Sequence, residues 1–264
     1  MQKDQPLKNR VAIVTGAAQG LGQGIAVRLA SDGATVICVD ILDASATTDM
    51  IASTVGVDRA WAAQVDVSIT DEVETLVKAV LDRHGAIDIL VNNAAVMQPI
   101  LDVTETDDAT IDRVLAVNLR GVIAFSRPVG RHMRERRCGR IINISSQVGK
   151  LAWPGIGVYS AAKAAVIALT QAMGLELAPF GVFVNSICPG TMDTAQARYT
   201  FQNQAVKLGR LVEDLVRERQ QAMPLRRLGS PQDAAAMVAW LASDEATFTV
   251  GAALNLTGGE FVGF

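Results

Sequence analysis

The chain is poor in histidine, cysteine and aromatic residues, and each scarcity removes a class of chemistry. It has two histidines, His84 and His132, so imidazole ligation has little to draw on and no metal site is expected. Cys38, Cys138 and Cys188 lie far apart and form no C-x-x-C pair. Neither a disulfide framework nor a metal-binding thiol pair is implied, and a reducing, cytoplasmic setting fits. No charged-then-apolar signal pattern opens the sequence, and the apolar runs are interrupted before they reach membrane-spanning length. Neither charge dominates: 24 basic residues face 27 acidic ones for a net charge of −3, which leaves no basic footprint for nucleic acid. The basic run RHMRERRCGR, 131–140, reads as the solvated end of a helix, where cations suit the dipole. Nothing beyond the opening MQKDQP resembles a disordered tail, and there are no internal repeats. Half of the 264 residues are apolar and 19% are charged, enough for a sizeable core in one domain spanning 1–264.

Short β-branched apolar runs alternate with helical patterns. Strands are predicted at 11–16, 34–40, 60–66, 87–93, 139–146, 181–190 and 251–259. Most of these runs do not alternate polar with apolar residues, as expected for strands buried on both faces of a parallel sheet. Between them, DEVETLVKAVLDRHG (71–85) places Val73, Leu76, Val77, Val80 and Leu81 at helical spacing. Repeated β-α-β units predict a doubly wound α/β sheet. Two places depart from the rhythm. Residues 194–229 form an insertion before a helix that opens with Ser230 as N-cap and Pro231 at its first position. Pro128 lies inside a helical pattern and is expected to kink it or mark an end.

VAIVTGAAQGLGQGIAVRLASDG reads as strand, glycine turn, helix, with Gly16, Gly20 and Gly22 spaced G-x-x-x-G-x-G. Glycines permit the sharp turn and let a pyrophosphate approach backbone N–H groups at a helix N-terminus. The second strand ends in Asp40, where a carboxylate can accept bonds from both ribose hydroxyls and would repel a 2′-phosphate. No Arg or Lys occurs at Ala17, Ala18, Gln19, Ile41 or Leu42 to offset that repulsion, so NAD is favoured over NADP. The competing reading of Asp40 is a turn or helix cap. Asp66, at the tip of the third strand, is a candidate for the adenine edge or a turn carboxylate.

SSQVGKLAWPGIGVYSAAKAAV, 145–166, puts Tyr159 and Lys163 at i and i+4, on one helical face. An ammonium about 4 Å from a phenol contributes about 4 kcal/mol at an effective dielectric near 20. That is about three pKa units, enough to bring the phenol near working pH for acid–base catalysis. Ser146 ends a strand upstream and can bond the substrate oxygen; Asn118 can tie a water to the lysine.

In order, TGAAQGLG (15–22), NNAA (92–95), Asn118, NISS (143–146), YSAAK (159–163) and PGTMDT (189–194) resemble the landmarks of the short-chain dehydrogenase/reductase family over essentially the whole chain. The resemblance implies a Rossmann-type seven-stranded sheet, NAD(P) binding, and hydride transfer between the nicotinamide and a carbinol or carbonyl carbon. It implies Asn118, Ser146, Tyr159 and Lys163 as catalytic residues, with Tyr159 exchanging the proton and Lys163 also bonding the nicotinamide ribose. The cofactor set is Gly16, Gln19, Gly20, Leu21, Gly22, Asp40, Ile41, Asp66, Val67, Asn93 and Ala94, with Pro189, Gly190, Met192 and Thr194 holding the carboxamide end. A homotetramer built on helices beginning near Asp107 and Tyr159 is also implied. Ala95 stands where the family usually has glycine, which should narrow the nicotinamide pocket slightly.

For substrate, Gln147 beside Ser146 offers an amide either to a second hydroxyl or to loop backbone groups, and SQVG with NNAA is similar to dehydrogenases of polyols, sugars and vicinal diols. Trp153 is a candidate pocket wall or a plain packing residue. The 194–229 insertion, with Tyr199, Phe201, Leu208, Leu211, Leu215 and Met223, suits an amphipathic lid or a fixed surface helix pair. The expectation is an NAD-dependent oxidoreductase interconverting a secondary alcohol and a ketone. Its rivals are a 3-oxoacyl-thioester reductase and a non-catalytic nucleotide-binding scaffold.

Overall fold

The computed structural model describes residues 5–263, so the first four residues of the opening MQKDQP lie outside it. Seven strands appear where seven were expected: β1 (Val11–Thr15), β2 (Thr35–Asp40), β3 (Ala60–Gln64), β4 (Ile89–Asn92), β5 (Gly139–Ile144), β6 (Val182–Pro189) and β7 (Ala253–Leu256). They form one sheet in the order β3-β2-β1-β4-β5-β6-β7, with every neighbouring pair parallel. The order reverses between β1 and β4, which pair through Ala12–Ile89, Ile13–Leu90 and Val14–Val91. Such a switch point opens a crevice at the carboxyl ends of the strands.

The sheet is buried on both faces, so successive residues of a strand serve opposite cores. Ala12 and Val14 pack with α1 (Gly20–Ser31), α2 (Ser45–Val55) and α9 (Pro231–Ala242), through Ile25, Leu29, Ile51 and Val238. Val11 and Ile13 pack with α3 (Thr70–His84), through Val73, Leu76, Val77 and Val80, and with Phe125, Val129 and Met133. Each fully buried side chain of this size stabilises the fold by about 1.5–3 kcal/mol. The N-terminus of α9 is built as expected: Ser230 Oγ accepts from Asp233 N–H while the Asp233 carboxylate accepts from Ser230 N–H, a reciprocal cap.

Three expectations need correction. Helix α5 (Gly121–Arg136) runs through Pro128 without ending. The irregularity lies upstream, where a π-turn at Ala116–Arg120 joins α4 (Asp108–Leu115) to α5 and carries Asn118 at its centre. The basic run ends its helix at Arg136, and Arg140 is instead a buried residue of β5, paired with Asp244 and stacked 4.4 Å from the Phe183 ring. Finally, Gly157–Phe180, containing α6 (Gly157–Leu177), is long and apolar enough by composition to cross a membrane. Its small-residue-rich sequence packs along β6 in this fold, and the helix carries Tyr159 and Lys163.

The 194–229 insertion folds into α7 (Ala195–Leu208) and α8 (Val212–Ala222). Phe201, Leu215 and Met223 join Ala205 and Leu228 in a small core of their own, whereas Tyr199, Leu208 and Leu211 face outward.

Candidate active site

A cleft of about 1130 Å³ runs along the carboxyl ends of the strands and under α7 and α8. Of the residues expected to form the site, all but two line it; the exceptions are Gly22 and Asn118, which act from behind the wall.

At one end lies the glycine turn between β1 and α1. Gly16 has φ +66°, and a Cβ on it would sit 2.7 Å from Asn93 Nδ2. A Cβ on Gly22 would lie 2.0 Å from the Gly16 carbonyl oxygen, so its place is packing the helix onto the turn. The Asn93 amide donates to the carbonyls of Thr15 and Gly16 at 2.9 and 3.0 Å. Thr15 Oγ1 accepts from Asn93 N–H and Ala94 N–H at 2.9 and 3.0 Å, tying the tips of β1 and β4 together. Thr15 belongs to the TGAAQGLG stretch, but its sequence carries no sign of this role. The turn leaves a cradle that only glycines permit, at a helix N-terminus; Gly16, Gln19, Gly20 and Leu21 face the cleft there, which fits the diphosphate of a nicotinamide dinucleotide.

Asp40 sits at the tip of β2 as a cleft residue and also as a cap. Its Oδ2 accepts from Ala18 N–H at 2.9 Å and its Oδ1 from Leu42 N–H at 3.0 Å. Asp66 likewise lines the cleft while its Oδ1 holds the turn at Ser68, accepting from that residue's N–H and hydroxyl. Both carboxylates therefore hold local turns while lining the cleft. Ile41 and Val67 flank them on the same wall.

At the other end, Ser146, Tyr159 and Lys163 converge. Ser146 caps the short turn after β5, accepting from Val148 N–H at 3.3 Å, and its hydroxyl also bonds the Tyr159 phenol. Lys163 is buried, and its Nζ donates to the Ile144 carbonyl at 2.8 Å. That bond engages one of the three N–H groups of the ammonium. The ammonium lies 5.7 Å from the centre of the Tyr159 ring and is directed at β5. Burial therefore decides the phenol's acidity: it is pushed up to about 12, with the Ser146 bond opposing. The same desolvation lowers Lys163 to about 8.

Asn118 lies at the centre of the π-turn. Its side chain is fully buried and spent on Val96, accepting from the backbone N–H and donating to the carbonyl, both at 2.8 Å. These two bonds use one N–H and one lone pair of the amide. What it fixes is the backbone of 95–97, which lines the cleft. The π-turn at Asn118 also breaks the regular helical ladder there, a departure frequent at functional sites.

Sequence reading missed Gln98. It is buried, its Oε1 accepts from Tyr159 N–H at 2.7 Å, and its amide nitrogen lies 3.4 Å from the Gly155 carbonyl. Ile156, at the N-cap position of α6, supplies no side-chain cap, so Gln98 satisfies a free N–H of the first turn from a distant loop. No local pattern marks such a tertiary cap.

Gln147 is buried with its Oε1 unpartnered, and it lines the cleft beside Ser146. Trp153 lines the same end, and Arg219 of α8 lies over its ring at 4.6 Å. Pro189, Gly190, Met192 and Thr194 follow β6 along the cleft; Thr194 caps α7 by accepting from Ala197 N–H at 3.3 Å.

The family model described as Enoyl-(Acyl carrier protein) reductase matches residues 16–260. The chain belongs to the short-chain dehydrogenase/reductase family. It is 36% identical to galactitol 2-dehydrogenase of Agrobacterium fabrum, over 97% of this chain and 99% of that one. It is 35% identical to a 3-oxoacyl-(acyl-carrier-protein) reductase of Vibrio cholerae, again over 97% and 99%. The crystal structure of levodione reductase superposes with a TM-score of 0.92 at 30% identity, covering 96% of this chain and 98% of that one. The protein is an oxidoreductase acting on CH–OH groups with a nicotinamide cofactor.

Proposed function

We propose that this short-chain dehydrogenase/reductase is NAD-dependent and interconverts a secondary alcohol and a ketone in a polyol, sugar or small diol. The observation that carries the substrate class is the Gln147 amide: a buried acceptor with no protein partner, beside Ser146 in the cleft. An unsatisfied buried oxygen costs stability, and a second hydroxyl of the substrate would satisfy it. Gln196, Thr200 and Gln204 of α7 add further polar groups along the wall. The likeness to galactitol 2-dehydrogenase agrees with this reading. Preference for NAD rests on Asp40, with no Arg or Lys at Ala17, Ala18, Gln19, Ile41 or Leu42 to offset its repulsion of a 2′-phosphate.

In this reading the bound cofactor supplies or accepts the hydride, held by the glycine turn, Asp40 and Asp66, the 93–94 segment and the 189–194 loop. Tyr159 exchanges the proton at its phenolic oxygen, and Ser146 bonds the same substrate oxygen. Lys163, anchored on Ile144, keeps a positive charge under the site and would bond the nicotinamide ribose. Asn118 sets the backbone at Val96 that borders the reacting centre. Residues 194–229 form a lid that excludes water. Free cysteines suit a cytoplasmic enzyme. Two outward apolar features suit a homotetramer: α6 with Leu175 exposed, and the stretch at Phe248 and Val250.

The test is a screen of NAD⁺ and NADP⁺ reduction across polyols, sugars, diols and hydroxy acids, with an oxoacyl thioester as counter-substrate. Wild type is expected to favour NAD⁺ and a polyol or diol. Tyr159→Phe should lose about a thousandfold in turnover while binding NADH nearly as well. Faster reduction of the thioester with NADPH would overturn the reading.

A further inference from the structure

At the substrate end of the cleft, one charged pair is built into the wall. Arg219 on α8 lies over the Trp153 ring and donates through Nε to Thr191 Oγ1 at 3.0 Å. Its guanidinium also pairs with the Glu260 carboxylate, from the segment after β7. Glu260 is held in turn: Oε2 accepts from Thr191 N–H at 3.0 Å and Oε1 lies 3.3 Å from Thr191 Oγ1. Only 9% of the Glu260 side chain is exposed, against 27% for Arg219, and Arg219 lines the cleft while Glu260 stands behind it.

The pair lies close to the reacting centre. A Cβ on Gly190 would be 2.8 Å from Glu260 Oε2 and 3.1 Å from Gln147 Oε1, so both oxygens flank the same glycine. A substrate group that reaches Gln147 therefore meets a wall whose cation is already cancelled. Without Glu260, Arg219 would present a half-buried, rigid fork suited to carboxylate or phosphate. With it, an anionic substrate would face the carboxylate's repulsion and would have to compete for the guanidinium.

We propose that Glu260 is a specificity-determining residue: by neutralising Arg219 in the cleft wall, it confines the enzyme to uncharged alcohols and rejects those bearing a carboxylate or phosphate. This rests on reading the cleft as a site for neutral polyols, diols or sugars. The mirror-image prediction is that removing the arginine leaves an anion that attracts cationic substrates.

The experiment measures kcat/KM for galactitol, 2,3-butanediol, 3-hydroxybutyrate, gluconate and 1-amino-2-propanol in wild type, Glu260→Gln, Arg219→Met and the double variant. NADH affinity and thermal stability are followed alongside. Gln at 260 keeps an acceptor for Thr191 N–H, and Met at 219 keeps a side chain against Trp153. The expected result is a rise of at least tenfold in the acid-to-neutral ratio for Glu260→Gln, abolished in the double variant. Arg219→Met should shift the ratio toward the amino alcohol instead, which carries the test should Glu260→Gln fail to fold. An unchanged ratio in folded single variants, or a gain that persists in the double variant, overturns the inference. So does a wild type that already prefers the acids. Wild type inactive on every neutral alcohol would instead remove the underlying substrate reading.

Discussion

At its phosphate end the cleft is shaped by backbone, whereas at its substrate end it is shaped by side chains drawn from distant segments. The glycine turn is held by main-chain carbonyls and N–H groups of residues 15, 16, 93 and 94, knitted by Asn93 and Thr15. Nothing there depends on a charged pair. The other end assembles Gln147, Trp153, Arg219 and Glu260 from three segments, and its polar partners include an ion pair, a cation stacked on an indole and an unsatisfied amide. A backbone cradle recognises what all nicotinamide dinucleotides share. A side-chain wall can be recut one residue at a time, which suits the end that must tell substrates apart.

That contrast predicts where a methyl group does most harm. A Cβ at Gly22 would overlap the Gly16 carbonyl at 2.0 Å and Asn93 Nδ2 at 2.5 Å, and the carbonyl belongs to the turn itself. Gly22→Ala must push helix α1 off the turn, at a cost of about 1–3 kcal/mol or more. NADH affinity is expected to fall at least about a hundredfold, corresponding to about 2.8 kcal/mol. Gly20→Ala is the contrasting case. Its φ is +60° but the nearest atom to its Cβ would be 3.7 Å away, so only a strained backbone is imposed, about 1–2 kcal/mol. Calorimetric titration of both variants with NADH checks the order; a milder effect at Gly22 than at Gly20 would contradict the cradle.

The same division explains what was legible beforehand. All seven strands were placed because buried parallel strands are continuous apolar runs, and the capping box at Ser230 is a local pattern. The glycine turn was readable since its chemistry lies within one short stretch. The proximity of Ser146, Tyr159 and Lys163 followed from strand and helix order, but the electrostatics did not. Helical spacing puts Lys163 on the face of Tyr159; it says nothing of the Ile144 carbonyl, which redirects the ammonium. The π-turn at Asn118 and its bonds to Val96 were not legible, because both are tertiary facts. Gln98, Arg219 and Glu260 act through contacts spanning tens of residues, which periodicity cannot register.

Gln98 offers a smaller and more discriminating test. It accepts from the backbone N–H of Tyr159 and would act through that residue, so it is a positioning residue. Gln98→Leu removes the acceptor at similar volume and frees the start of α6 to shift. Displacement of a reacting group by about 1 Å can cost up to a hundredfold in rate; about tenfold in kcat is expected here, with cofactor affinity unchanged. Gln98→Glu keeps an acceptor oxygen and should recover most of the activity. Equal losses in both variants, tracking their thermal stability, would reduce Gln98 to a purely structural contact.

The smallest expected effect concerns Lys163 and separates burial from pairing as the source of the site's electrostatics. Desolvation lowers its pKa from the ordinary 10.5 to about 8, with the electrostatic influence of Cys188 opposing. Between about pH 8 and 10 the unfolded chain therefore still binds a lysine proton that the folded chain has released. Stability contributed by this group rises with pH across that window, because the unfolded state holds more protons. Tyr159, pushed up to about 12 by burial, acts with the opposite sign, but only once its unfolded phenol ionises near pH 10 and above. Lys163→Met lacks the lysine contribution. The wild type should gain on it by on the order of 1–2 kcal/mol between pH 8 and 10, a relative shift of several degrees in Tm at about 2–4 °C per kcal/mol. Were a close pairing with the Tyr159 phenolate to govern the lysine instead, its pKa would stand above 10.5 and the wild type would lose its lysine contribution as the pH climbs beyond that value, with no gain at pH 8 to 10. Melting curves of the two proteins at pH 7, 8, 9 and 10 decide between these signs.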